Sequence, residues 1–186
     1  MSTTTIVLIV VALIVIWIVA LFNHLVRLTN RAKESFADIQ VQLKRRYDLI
    51  PNLVETVKGY AAHESSAFEN VTKARAAAMG ATGTADKVKA ENQLTGALKT
   101  LFAVSEAYPD LKANQNFLQL QKEIGDTEDK IQAARRFYNT TVMALNTSIQ
   151  SFPSNIVAST FGFKQMDLFE LAASDSAAAE PVKVQF

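Results

Sequence analysis

The sequence predicts an all-α protein: an N-terminal transmembrane helix continuing into a long antiparallel up-and-down helical bundle of three to four helices. Three observations predict it. Residues Ile6 to Phe22 read IVLIVVALIVIWIVALF, 17 apolar residues in a row. Beyond them, apolar residues recur every seven positions along most of the chain, a helical period and not a strand period. Gly and Pro number only six and four among 186 residues, which argues against an all-β protein with many turns.

The apolar run is the first element. At 1.5 Å per residue, Ile6 to Leu25 covers roughly 30 Å, the thickness of a bilayer's hydrocarbon core. No charged side chain precedes Arg27. A helix satisfies its backbone internally, so the many β-branched residues are tolerated in lipid. A cleaved signal peptide needs a basic leader, a shorter apolar stretch and a small-residue cleavage site. MSTTT has no basic side chain and no A-x-A follows Phe22. The expectation is a retained anchor over residues 6–26, with a short outer segment at 1–5, a helical-bundle domain at 27–170 and a linker and tail at 171–186. Orientation follows from charge. Residues 27–46 carry Arg27, Arg31, Lys33, Lys44, Arg45 and Arg46 against Glu34 and Asp38, so the positive-inside rule places this flank in the cytoplasm.

The helices of the bundle follow in order. One seam runs Phe36, Leu43, Ile50, Val57, Glu64, Val71, Ala78, and a second runs Ile39, Tyr47, Val54, Ala61, Phe68. The spacing passes Pro51 without a change of phase. A proline inside a helix removes one hydrogen bond and crowds the preceding turn. The pattern therefore reads as one rod from the anchor to about Met79 with a helix kink at Pro51; the alternative is two helices, with Pro51 opening the second. Gly80 to Thr84 is a break, with glycine suited to a left-handed cap and Thr84 to capping the next helix. That helix runs to about Tyr108 and buries Val88, Leu94, Leu98, Leu101, Phe102 and Ser105. The last long helix carries Phe117, Ile124, Ile131, Tyr138, Leu145 and Phe152 at seven-residue spacing and ends at Pro153. Short connections between such helices favour antiparallel neighbours.

Composition removes several chemistries. The chain has no Cys and two His, which excludes thiolate sites and leaves little for a histidine metal cage. With 19 Lys+Arg against 18 Asp+Glu, it lacks the basic surplus of a dedicated nucleic-acid binder. No phosphate-binding loop, dinucleotide fingerprint or nucleophile elbow occurs. His63-Glu64 opens like a zincin helix, but the second histidine is missing. Glu123, Asp126, Glu128 and Asp129 cluster on the last helix among Lys122, Lys130, Arg135 and Arg136, and read as a solvated, internally paired face. No catalytic, metal or cofactor-binding residues are assigned, and no cofactor is expected. A polar run beside the proline suggests an interhelical network of Tyr47, Asp48, Asn52 and Glu55 with Arg135, Arg136 and Asn139, because a proline frees a carbonyl and buried polar groups need partners.

Residues Ser154 to Phe169 are rich in apolar side chains. They read either as a short helix and turn closing one end of the bundle or as an apolar contact for another subunit. Leu171 to Glu180 reads as a linker. The tail alternates Val182, Val184 and Phe186, a pattern suited either to adding an extended strand to a partner or to a frayed terminus. The candidate partner or subunit contacts are thus Phe161, Phe163, Phe169, Val182, Val184 and Phe186.

The stretch RRYDLIPNLVETVKGYAAHE (Arg45 to Glu64) resembles the signature of the LemA family of bacterial membrane proteins, as does YPDLKANQNFLQLQKEIGDTEDKIQAARRFYN (Tyr108 to Asn139). NRAKESFADIQVQLK, SFPSNIVASTFGFK and the ending PVKVQF are similar to the family too. The resemblance implies a short outer N-terminus, one spanning helix and a cytoplasmic helical domain at the bacterial inner membrane, and it supplies no catalytic residues. The expected function is a non-catalytic, self-associating scaffold in the bacterial envelope. Its expected partners are the lipid bilayer and further copies of the chain, and no nucleic acid. The alternatives are an adaptor or regulator presenting its tail to a membrane protease or other membrane protein and, less favoured, a metal-dependent enzyme using the acidic cluster.

Overall fold

The computed structural model of the chain describes residues 2–169. It is all-α, with no strand among the described residues. The helices are α1 (Thr3–Lys58), α2 (Ser65–Gly80), α3 (Thr84–Ser105), α4 (Pro109–Lys112), α5 (Gln115–Gln150) and α6 (Ser154–Phe161). The chain divides into two compact units. The first holds the chain up to Asp38 together with Ala134–Leu168, and the second holds Ile39–Ala133 together with Phe169.

In the first unit, Leu25 of α1 is fully buried and packs with Val157 and Ala158 of α6, and Leu21, Phe22, Ile149 and Phe163 close around them. Higher on α1, the Phe36 ring lies 5.6 Å from that of Tyr138 on α5. The Tyr138 hydroxyl donates to the Asp167 carbonyl at 2.8 Å. Burial, and then the Asp167 carboxylate, push this phenol above its ordinary value of 10.0. The stability it lends is complete below that ordinary value and is lost as pH rises through the raised one. Asn146 pins the segment after α6, donating to the Met166 carbonyl at 2.9 Å and accepting the Met166 N–H at 3.0 Å.

The second unit has a core drawn from five helices. Leu43, Ile50, Leu53 and Val57 of α1 are buried, as are Val71 and Ala78 of α2. Leu94, Leu98 and Leu101 of α3, Leu111 of α4, and Phe117, Ile124 and Ile131 of α5 complete it. These are largely the seven-residue seams read from the sequence. The start of α5 is fixed by Asn114, whose Oδ1 accepts the N–H of Asn116 at 2.9 Å and of Phe117 at 3.1 Å.

Three local expectations are corrected. The rod expected to reach Met79 ends at Lys58, and the chain leaves the helix before resuming at Ser65. Gly59, with the highest backbone entropy to lose in a helix, sits at the break, and Ala61 stays 1% exposed there. The burial period survives the turn while the helix does not, so spacing alone read through it. The left-handed glycine of the next break is Gly83 (φ 86°), not Gly80, which is still helical. Thr84 is accordingly the first residue of α3 and not its cap.

Pro51 lies within α1, and the helix runs through it. A new helix opening at Pro51 is therefore not what forms. Proline has no N–H to give the carbonyl four residues earlier, that of Tyr47. That carbonyl instead accepts Arg75 Nε from α2 at 2.8 Å. The missing hydrogen bond of one helix thus becomes the attachment point of its neighbour. Arg75→Ala should lower stability by about 1 kcal/mol, with the loss shrinking in a Pro51→Ala background because residue 51 can then supply the N–H itself. Urea unfolding of the four variants measures this coupling, and equal losses in both backgrounds would show that the carbonyl plays no such part.

Candidate functional site: the apolar segment of α1 and a buried ion-pair cluster

The first feature is the start of α1. Every described side chain from Ser2 to Ala20 is exposed. Among the described residues nothing buries this segment, and α1 is the one helix among them long and apolar enough to cross a membrane. Fully burying a Val, Leu, Ile or Phe side chain is worth about 1.5–3 kcal/mol. The run as a whole therefore represents on the order of tens of kcal/mol of unrealised burial, more than the usual net stability of a domain.

The second feature is electrostatic and lies in the second unit. Leu25, Ala32, Ile39, Arg46 and Leu53 are buried at seven-residue spacing along α1, so a guanidinium occupies a position where a core apolar side chain is the rule. Arg46 is 0% exposed, and so is Glu91 of α3. One Arg46 amino group donates to Glu91. The other donates to Glu128 of α5 and, at 3.2 Å, to Thr95 of α3. The second carboxylate oxygen of Glu91 accepts the hydroxyl of Tyr47. Lys87 of α3 stands 5.4 Å from the Tyr47 ring centroid and donates to the Ala78 carbonyl at 2.7 Å.

One residue of α1 thereby reaches both α3 and α5. A buried ion pair contributes little net stability, because desolvation offsets its attraction, but removing one partner strands a charge. Its effect here is to fix how three helices register. The Glu91 and Glu128 oxygens that touch Arg46 are engaged in charge-assisted bonds, which suits them to structure more than to proton transfer.

The residues expected to form the polar network are distributed differently. Tyr47 belongs to the buried cluster, through Glu91. Asp48 is exposed and pairs with Lys44 at 2.7 Å along the helix surface. Asn52 and Glu55 are exposed and, with Thr56, line a groove of about 460 Å³ opposite Asn116, Gln119, Leu120 and Glu123 of α5. Arg135 is buried, Asn139 is half-buried and Arg136 is exposed. These three lie in the first unit, whereas Tyr47, Asp48, Asn52 and Glu55 lie in the second.

Of the acidic cluster, Asp126 and Asp129 are exposed as expected of a solvated face, but Glu128 bonds to Arg46 of α1. That pairing corrects the expectation of pairing within α5. Sequence reasoning also missed Arg46 and Glu91. The available signal was Arg46 falling seven residues after Ile39 and seven before Leu53.

Of the candidate contact residues, Phe161 is exposed, Phe163 is half-buried and Phe169 is 2% exposed. Val182, Val184 and Phe186 lie outside the described residues.

An all-α chain whose first helix starts with an uncovered apolar segment and continues into a core crossed by buried charge defines a class: helical proteins with one candidate membrane span. The particular family follows from comparison. The LemA family model matches residues 35–186, and the chain belongs to the LemA family. It is 30% identical over 166 residues to Protein LemA of Metamycoplasma hominis, covering 87% of this chain and 72% of that one. It is 26% identical over 187 residues to Magnetosome protein MamQ of Magnetospirillum gryphiswaldense, covering 86% of this chain and 69% of the relative. It is also 26% identical over 175 residues to Magnetosome protein MamQ 2 of Paramagnetospirillum magneticum, covering 80% and 64% respectively.

The buried cluster makes a stability prediction. Arg46→Met leaves Glu91 buried without its cation and should cost about 3–5 kcal/mol. Adding Glu91→Leu should recover most of that loss, since an apolar pair of similar volume is commonly neutral. Denaturant unfolding of the single and double variants measures both values. Simple additivity of the two losses would contradict a direct pairing.

Proposed function

We propose that this chain is a non-catalytic, single-pass membrane protein that self-associates as a scaffold at the bacterial inner membrane, with its N-terminus outside and its helical domain in the cytoplasm. The observation that carries the reading is the exposed apolar segment of α1. It is long enough to span hydrocarbon, and none of the other described residues shields it. The cationic residues that follow it support the orientation.

Large apolar side chains beyond the span support association. Val41, Leu118 and Met143 stand exposed on α1 and α5, on helices whose opposite sides are buried in their own units. Phe137 is half-shielded by Arg31, whose guanidinium carbon lies 5.2 Å from the ring centroid. The absence of catalysis is supported by chemistry: the buried carboxylate of Glu91 is committed to Arg46 and Tyr47. The relatives' names describe no enzyme.

Membrane extraction followed by light scattering and electron microscopy tests both parts. The full chain is expected to stay with membranes through an alkaline wash, to need detergent for release, and to emerge as particles larger than one chain. Recovery in the aqueous fraction would contradict the anchor. A strictly monomeric detergent-extracted protein would contradict the scaffold.

A further inference from the structure

We propose that α6 is a membrane-seated shelf: a short uncharged helix that lies at the hydrocarbon boundary beside the exit of α1 and inserts Phe161 and Ile156 into the lipid. The proposal rests on reading α1 as a membrane span.

The unbroken apolar run of α1 ends at Phe22, and at 1.5 Å per residue its length is about 25 Å. A hydrocarbon core of about 30 Å reaches onward to Leu25. The last turn of the span therefore comprises Leu21, Phe22 and Leu25. That turn is where α1 stops being fully exposed. Leu25 is buried against Val157 and Ala158 of α6, with Leu21, Phe22 and Phe163 packed against the same cluster. The Phe22 ring lies 4.9 Å from that of Phe161 and 5.6 Å from that of Phe163, both edge to face. Protein replaces lipid as the cover of this turn. Whatever covers the last turn of a span shares its depth, so the outer side of α6 faces lipid at that level.

The composition and bonding of α6 fit such a place. No charged side chain occurs from Phe137 to Phe163, and the next is Lys164, which is exposed and positioned to reach headgroups. Ile156 and Phe161 are 57% and 56% exposed, although both belong to a helix whose other side is packed. The exposed hydroxyls of α6 do not depend on water. Ser159 Oγ donates to the Ile156 carbonyl at 3.0 Å, and Thr160 Oγ1 donates to the same carbonyl at 2.7 Å. Polar groups that close on their own helix are what a low-water environment requires. A helix packed on its own chain that carries no charge and leaves two large apolar side chains exposed suits the interfacial zone, where such residues sit about 5–10 Å deep.

The occupant argued for is lipid and not a second copy of the chain, because the patch is continuous with the span that lipid already surrounds. The test uses the fact that Trp17 is the chain's single tryptophan. The full-length protein is reconstituted into phosphatidylcholine vesicles containing phosphatidylglycerol, with either ordinary or brominated acyl chains. Native Trp17 reports the span. In a Trp17→Phe background, Phe161→Trp and, separately, Ile156→Trp report the shelf. Brominated lipid should quench both shelf positions by about twofold or more, as for rings at the headgroup–acyl boundary. Circular dichroism confirms that each variant is folded, and the second position stands in if the first disturbs the Phe22 contact.

The outcomes separate the two claims. An unquenched Trp17 would defeat the span itself. A quenched Trp17 with both shelf positions unquenched and emitting as in water would defeat the shelf alone. Blue-shifted but unquenched emission at the shelf positions would mean that protein covers them, and it too would overturn the proposal.

Discussion

A run of 17 apolar side chains at the start of a helix cannot be left in water at any acceptable free energy, and the other described residues offer it no cover. The remaining helices are occupied with their own cores: α2, α3 and α4 with the second unit, and α6 with the foot of α1. Among the described residues that shortfall of burial is not made up. A bilayer meets it with a non-specific solvent of matching thickness. The features that follow are consistent with that solution. Positive charge begins soon after the run ends, and the uncharged segment with α6 packs where the run gives way to ordinary amphipathic sequence.

Further along, α1 changes from uniform apolarity to apolar seams of seven-residue period, and the one through Ile39 and Leu53 is interrupted by Arg46. A purely apolar seam lets helices slide or exchange partners with little penalty. A guanidinium that must meet Glu91 and Glu128 at once rejects most alternative registers, since each strands a charge in a poorly solvated place. Pro51 and Arg75 act in the same direction one turn later, by giving a single carbonyl a single partner on the neighbouring helix. Together they tie α1 to α2, α3 and α5 at defined positions.

Much of this was legible in the sequence because it was periodic. Leu43, Ile50 and Val57, and Ile124, Ile131 and Tyr138, announce helix faces whatever their partners. Breaks were less legible. Ala61 keeps the period across the turn after Lys58, so spacing extends the helix too far, and Gly59 and a Glu at position 64 of the seam are the signs against it. The polar partners were least legible of all. Tyr47 was placed with Asp48 and Asn52 because they are neighbours in sequence, yet successive residues on a helix point in different directions, and only Tyr47 faces Glu91. In the sequence Arg46 stands with Lys44 and Arg45 among the cations that flank the apolar run. Its burial became visible only once α3 and α5 supplied the carboxylates.

Membership of the LemA family places this chain beside proteins with different names and few shared identities. This chain combines a long exposed apolar segment, a candidate span, with helices locked by buried charge. Because the chain has no cysteine, single cysteines can report the environment of any exposed position. The most direct measurement places them at Ile14, in the middle of the run, and at Val41, exposed beyond it, and follows labelling by a membrane-impermeant maleimide in intact cells and after permeabilisation. Position 14 should stay unlabelled in both conditions while position 41 is labelled only after permeabilisation. Ready labelling of position 14 in intact membranes would contradict the span.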